Sequence, residues 1–165
     1  MSRGAAGVHL IVHGCAPLAA LGGNVALHAA ALDSRVSGVG AFAAFTPYAS
    51  DTADKPTGGL RRLAEMHALL PRLGRFIGDE SSVPYDYAEL LAAIAPRPTL
   101  LYTPTSDRDA TYADVLACAT EAKKAWVAKG SGDNFVQASP PNTTQMTEAE
   151  AHAAVSWAKK VAGLL

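Results

Sequence analysis

The sequence predicts an α/β fold with a parallel sheet of about four strands flanked by helices. Short apolar runs alternate along the chain with longer segments in which apolar residues recur at helical spacing. The first run, Val8–Val12, is rich in β-branched residues, which is typical of a strand covered on both faces. A repeated order of strand, helix and strand implies right-handed crossovers and therefore parallel strands. The strands are expected at Val8–Val12, Val36–Phe42, Thr99–Tyr102 and residues 134–138.

Composition limits the class of protein. The 165 residues have a formal net charge of -1, and 49% of them are hydrophobic, which is enough for one packed domain over residues 1–165. Neither nucleic acid nor an anionic membrane is expected as a partner, because both select a basic face. No apolar run has the length of a membrane span, and the first residues, MSRGAAG, lack the apolar segment of a signal peptide. The two cysteines, Cys15 and Cys118, lie far apart, which indicates either a reducing compartment or simple burial of the thiols rather than a disulfide framework. The expected location is the cytoplasm.

Helices are expected between and after the strands. Gly22-Gly23 is expected to form a turn that opens a helix over residues 24–32. Residues 60–77 have near-helical spacing that Pro71 interrupts, which fits either an excursion that shapes a pocket or a surface helical hairpin. Further helices are expected over residues 86–94, over residues 112–129, and from a capping box formed by Thr147 and Glu150 to about residue 163.

Four stretches occur in an order that resembles a known family. They are LGGNVALHAAALDSRV, the IAPRP lead-in to a strand, an aspartate after that strand, and a last helix that carries Trp157. Together they resemble the C-terminal half of an α/β-hydrolase, in the branch of the dienelactone hydrolases and acetyl-esterases. The resemblance implies an ester hydrolase by descent. It also implies that the chain holds only that half, as a truncated domain or as a fragment of a longer gene product.

The resemblance implies a nucleophile on the turn between the first strand and the first helix, in the pattern G-x-S-x-G. Leu21-Gly22-Gly23 matches the end of the family pattern Ser-Leu-Gly-Gly. Without a gap the nucleophile position is Ala20, and with Gly14-Cys15 as the start of the turn it is Ala16. A methyl group has no proton to lose, so neither alanine can attack a carbonyl. Cys15 is the nearest nucleophilic residue, and its alternative is a buried structural cysteine.

The remaining catalytic positions are also assigned by resemblance. Asp107 follows the strand Thr99–Tyr102 in the spacing Pro-x-x-Asp and matches the acid position, although Asp109 is an alternative that could instead cap the next helix. The family places its histidine in the turn before the last helix, but residues 140–146 contain none, and His152 falls inside that helix. No His, Cys, Asp and Glu cluster has metal-ligand spacing, so neither a metal nor a cofactor is expected.

Without a nucleophile, a histidine and the upstream half, the domain is expected to be inactive. The alternatives are a non-catalytic binding or assembly module, and an active hydrolase with a displaced nucleophile at Cys15 or Ser106. The resemblance further implies that the strand before Val8–Val12 is missing. That leaves an apolar edge without proline or lysine, through which a homodimer or a partner chain is expected to bind.

Overall fold

The computed structural model describes residues 8–12, 19–55, 57, 59–66 and 71–164, and the side chains at 8–12, 19, 20 and 66 are outside that description. Its centre is a sheet of four parallel strands in the order β1-β2-β3-β4. The predicted parallel sheet is confirmed, and its last strand begins one residue later than expected. The strands are β1 (Val8–Val12), β2 (Val36–Phe42), β3 (Thr99–Tyr102) and β4 (Phe135–Ala138).

In the part of the chain that the structure describes, four α-helices cover the two faces of the sheet. They are α1 (Ala19–Leu32), α2 (Tyr87–Ala92), α3 (Tyr112–Ala128) and α4 (Glu148–Val161). The larger core joins α1, α2 and α3 to one face of the sheet, and the smaller core joins α4 to the other. Among the described residues, no helix is both long and apolar enough to cross a membrane.

The expected glycine turn before α1 is wrong. The helix begins at Ala19, so Gly22 and Gly23 lie inside it. A Cβ atom at Gly23 would lie 2.5 Å from the Cβ of Ala44 and 2.9 Å from its Cα. The missing side chain therefore lets α1 lie directly against the segment that leaves β2, and this tertiary contact outweighs the low helix propensity of glycine.

Side-chain caps define the starts of α2 and α4. Asp86 caps α2 in a capping box with Glu89, and its carboxylate also accepts hydrogen bonds from the backbone N–H groups of Tyr48 and Ala49. The expected capping box of Thr147 and Glu150 is confirmed at α4. Both caps satisfy donors that a helix leaves unpaired at its first turn, so these starts are specified locally.

The excursion after β2 contains short helical segments of irregular type in the residues that the structure describes. Residues 60–77 contain a single π-helical segment, Arg62–Met66, and a 3-10 segment, Pro71–Phe76, while residues 67–70 lie outside the description. Leu60 and Leu63 are buried in the larger core. The apolar residues of this segment are therefore spaced so that they face the core, although the segment is not a regular helix.

Candidate functional site

A small cleft lies at the carboxyl ends of β2 and β3, which is the edge where parallel sheets usually bind ligands. Its walls come from the end of β2, the end of β3 and the segment before α4. The lining residues are Phe42, Ala43, Tyr102, Pro104, Thr143, Thr144, Gln145 and Met146.

The backbone at the cleft is strained at one residue. Ala43, directly after β2, has a φ of 44°, a left-handed conformation that a residue with a Cβ adopts at a cost. Its N–H donates to the carbonyl oxygen of Tyr102 over 2.9 Å, which extends the pairing of β2 with β3. The next residue, Ala44, packs against Gly23 of α1. The conformation of Ala43 is thus held from the β3 side and from the α1 side.

Asp107, the expected acid, lies half-buried in the loop after β3. Its Oδ1 accepts the N–H of Asp109 over 2.8 Å. The guanidinium of Arg62 forms a two-pronged ion pair with the carboxylate of Asp109, with distances of 2.8 and 3.2 Å. Asp109 therefore anchors the excursion after β2 to this loop. It does not cap α3, because the residue preceding that helix is Thr111.

The environment of Asp107 disfavours its ionised form. Burial raises the pKa of Asp107, the Asp109 carboxylate raises it further, and the backbone N–H groups of Asp109 and Ala110 and the Arg62 guanidinium oppose the change. A raised pKa in the folded state means that the folded chain binds this proton more tightly than the unfolded chain. Ionisation of Asp107 consequently lowers stability as the pH rises through that pKa.

We expect Asp107→Asn to be at least as stable as the parent chain at neutral pH. Asparagine keeps an oxygen that can accept the Asp109 N–H and carries no charge to bury. The advantage should shrink as the pH falls to where Asp107 is protonated, and urea unfolding at several pH values measures it. Asp109→Asn is the matched control and should lose stability, because it breaks the Arg62 pair. A marked loss of stability in Asp107→Asn at neutral pH would by itself contradict the expectation.

The segment between β4 and α4, where a histidine was sought, contains a different polar cluster. Asn142 donates from Nδ2 to Glu150 over 2.5 Å, and Glu150 also accepts the N–H of Thr147. The Tyr102 hydroxyl lies near Asn142 and Glu150 without a hydrogen bond of good geometry to either. Burial raises the pKa of Tyr102, and the Glu150 carboxylate raises it further, so this phenol stays neutral and is a poor nucleophile.

This segment is held firmly against the loop after β3. The N–H of Ser106 donates to the carbonyl oxygen of Asn142, and the N–H of Thr105 donates to that of Pro140. From the sequence, Glu150 was predicted only as a capping residue, and Tyr102, Asn142 and Arg62 were not predicted as site residues. A signal was present for Tyr102, since it ends a predicted strand at the ligand-binding edge of the sheet.

The expected nucleophile positions are only partly placed. Ala16 and Cys15 lie outside the described residues. The backbone of Ala20 is the second residue of α1, one place beyond the start of the helix. Among the described residues, no group of three or more His, Cys, Asp or Glu side chains could hold a metal ion.

Comparison with known proteins identifies the fold. No family model matches the chain, and no curated protein sequence matches it. A CE15 esterase from a marine bacterial metagenome is similar in structure, with a TM-score of 0.68 and 19% identity over 90% of this chain and 41% of its own. A CE15 glucuronoyl esterase from Caldicellulosiruptor kristjansonii has a TM-score of 0.69 and 22% sequence identity, and the match covers 92% of this chain and 42% of the esterase. An α/β-hydrolase from Penicillium sp. sh18 has a TM-score of 0.55 and 19% sequence identity, and the match covers 86% of this chain and 61% of the hydrolase.

The described residues form part of an α/β-hydrolase fold. At identities this low the similarity establishes the architecture and not the reaction. The chain spans about two fifths of the length of the two esterases it matches. Asp107 lies in the loop after β3, Asn142 lies in the segment between β4 and α4, and Glu150 lies in the first turn of α4.

Proposed function

We propose that this chain is an α/β-hydrolase domain of ester-hydrolase descent that does not itself catalyse ester hydrolysis. The observation that carries the proposal is the segment between β4 and α4. It contains no histidine, and its Asn142 donates a hydrogen bond to Glu150 of α4. Asp107 therefore has no imidazole to orient from this segment, and a triad without its base loses nearly all of its rate enhancement.

Descent from an esterase is supported by two observations of different kinds. The solved structures that resemble the chain include glucuronoyl esterases and an α/β-hydrolase. The sequence stretches LGGNVALHAAALDSRV and IAPRP resemble the dienelactone hydrolase and acetyl-esterase branch. The two observations favour different branches, so the proposal is for a carboxylic ester as the ancestral substrate class and leaves the acid and alcohol parts open.

The chemistry of the remaining side chains supports inactivity. Alanine stands at both candidate nucleophile positions, Ala16 and Ala20. The Tyr102 phenol at the cleft is held neutral, and Ser106 has no histidine beside it in sequence. A serine hydroxyl without a general base is a weak nucleophile at neutral pH. Among these candidate residues, the thiol of Cys15 is therefore the strongest remaining candidate for a nucleophile.

We expect hydrolysis of a short-chain aryl ester by the purified chain to be indistinguishable from hydrolysis in buffer. Restoring serine by Ala16→Ser or Ala20→Ser should give no turnover, because members of a triad act as a unit and removal of one costs about 10⁶-fold in kcat. Release of the aryl alcohol, followed by absorbance, measures both. Cooperative urea unfolding of each variant shows that the chain under assay is folded.

Cysteine and serine variants separate this proposal from a displaced active site. If the parent chain shows turnover that Cys15→Ala or Ser106→Ala abolishes, the proposal is wrong and the displaced nucleophile is correct. Cys118→Ala is the matched control for the thiol, since Cys118 is partly buried on α3 and burial raises its pKa to about 12. Loss of turnover in that variant as well would indicate a general loss of structure.

A further inference from the structure

A hydroxyl, an imidazole and a carbonyl form a chain of hydrogen bonds between α1 and the segment that leads into α2. The Tyr85 hydroxyl lies 3.2 Å from Nε2 of His28, and Nδ1 of the same ring lies 2.9 Å from the backbone carbonyl oxygen of Asn24. A nucleophile within hydrogen-bond reach of a base that a third group orients is the arrangement of an activated nucleophile. We propose that Tyr85 is a covalent modification site, at which the phenol oxygen takes a phosphoryl or phosphonyl group from a donor that carries a leaving group, with His28 as the general base.

The direction of the hydrogen-bond chain follows from the carbonyl at its end. A carbonyl oxygen only accepts, so Nδ1 of His28 donates to Asn24 and carries the ring proton. The neutral ring then has its lone pair on Nε2, where it accepts the O–H of Tyr85. Asn24 and His28 are four residues apart on α1, which is about one helical turn, so the helix itself places the ring beside the carbonyl. The nitrogen that can take the phenol proton is therefore fixed by local geometry.

Two aromatic rings hold the imidazole between them. The ring of Tyr85 lies 6.0 Å from that of His28 at an interplanar angle of 78°, and the ring of Tyr87 lies 6.1 Å away at 85°. Both are edge-to-face contacts, which is a favourable arrangement of aromatic rings. Because these contacts and the bond to Asn24 fix its orientation, the base is already in place before a proton is transferred.

The other tyrosines of the chain are poorer candidates for modification. There are five tyrosines, and three of them, Tyr48, Tyr87 and Tyr102, are buried. Burial raises the pKa of each of these three phenols, so they stay neutral. Tyr85 and Tyr112 are partly exposed, and of these two only Tyr85 hydrogen-bonds to a histidine among the described residues. Tyr112 is therefore an internal control for a phenol without a base.

The proposed step needs only these two side chains and the donor. The Tyr85 oxygen attacks the phosphorus atom, and the new O–P bond forms as the bond to the leaving group breaks. The leaving group departs with the electron pair of that bond, and the phenol proton passes to Nε2 of His28 and from there to water. The step is a group transfer and not a hydrolysis, so it goes beyond the proposed function and does not require ester turnover.

Labelling of the full chain with an alkyl fluorophosphonate tests the proposal, with fluoride as the leaving group. Peptide mass spectrometry locates the added mass and follows its rate at each tyrosine. We expect Tyr85 to be labelled about a hundredfold faster than Tyr112, which is the low end of the range of about 10²–10⁴-fold for general-base catalysis. Tyr85→Phe should remove the label at that position. His28→Asn should slow labelling of Tyr85 to the rate of Tyr112, because asparagine keeps a donor for the carbonyl of Asn24 but has no base.

The comparison of Tyr85 with Tyr112 is made in the parent chain and needs no variant, and cooperative urea unfolding shows that His28→Asn is folded. No label at Tyr85, equal rates at the two tyrosines, or a rate at Tyr85 that His28→Asn leaves unchanged would each overturn the proposal. Label at Cys15 or Ser106 with none at Tyr85 would overturn it as well, and would support the displaced nucleophile instead. Failure of this proposal is therefore distinguishable from failure of the proposed function.

Discussion

Replacing Trp126 by alanine should lower the free energy of unfolding by about 3–5 kcal/mol, the range for loss of a large aromatic side chain from a core. Trp126 is fully buried in α3. Its ring lies 4.7 Å from that of Phe135 on β4, and its Nε1–H donates to the carbonyl oxygen of Arg97 over 2.9 Å. One side chain thus ties a helix to an edge strand and to the segment that leads into β3. A loss of this size is a large part of the stability of a single domain.

Urea unfolding of Trp126→Ala, followed by circular dichroism, measures the loss. Trp126→Phe should lose less, because it keeps an aromatic ring in contact with Phe135 and loses only part of the buried ring volume together with the hydrogen bond to Arg97. The control is Val127→Ala, next in sequence and 63% exposed, which should change stability little. Equal losses in Trp126→Ala and Val127→Ala would mean that α3 does not pack as described.

The second large effect is expected for Asp51→Ala, in the excursion after β2. The Asp51 carboxylate is fully buried. It accepts the N–H and the hydroxyl of Thr57 and the N–H of Arg61, at distances of 2.7, 3.0 and 2.9 Å. The variant leaves three part-buried donors without their acceptor. A buried donor without an acceptor costs about 1–3 kcal/mol, and at the low end of that range for each donor a total loss of about 3 kcal/mol is expected. The excursion should also loosen locally, because Arg61 precedes the residue that pairs with Asp109.

Urea unfolding measures the stability of Asp51→Ala. Hydrogen exchange measures the local opening, and the backbone amides of residues 57–62 should exchange faster than in the parent chain. Asp54→Ala is the control, since Asp54 is exposed in the same excursion. Asp51→Asn should fall between the two variants, because its amide keeps one oxygen acceptor and turns a donor towards one of the N–H groups. A variant at Asp51 as stable as the control would show that the carboxylate is dispensable.

Local patterns were sufficient for much of the fold. Strands β1, β2 and β3 were predicted with their observed bounds, because a strand between turn residues depends on a few neighbouring side chains. The capping box at Thr147 was predictable for the same reason, since its two partners are three residues apart. The absence of a histidine from residues 140–146 is likewise a property of the sequence alone.

The polar arrangement at the candidate site was not predictable in this way. Asp109 resembled a helix cap, and its partner Arg62 is 47 residues away in an irregular segment. Tyr102 and Asn142 come from different elements, and their proximity depends on how the loop after β3 packs on the segment after β4. Such contacts are set by the path of the chain in three dimensions, which no short window of sequence contains.

The sequence by itself determined the α/β class, the parallel order of the strands and the alanines at the expected nucleophile positions, because these depend on residue identity and local periodicity. Only the tertiary structure decided that Gly22 and Gly23 lie inside α1, where the lack of a Cβ at Gly23 allows the helix to contact Ala44. It also decided that the uncharged helix α1 keeps Val25 and Leu32 exposed. Burial depends on which surfaces meet, and that is a property of the packed fold rather than of any single segment.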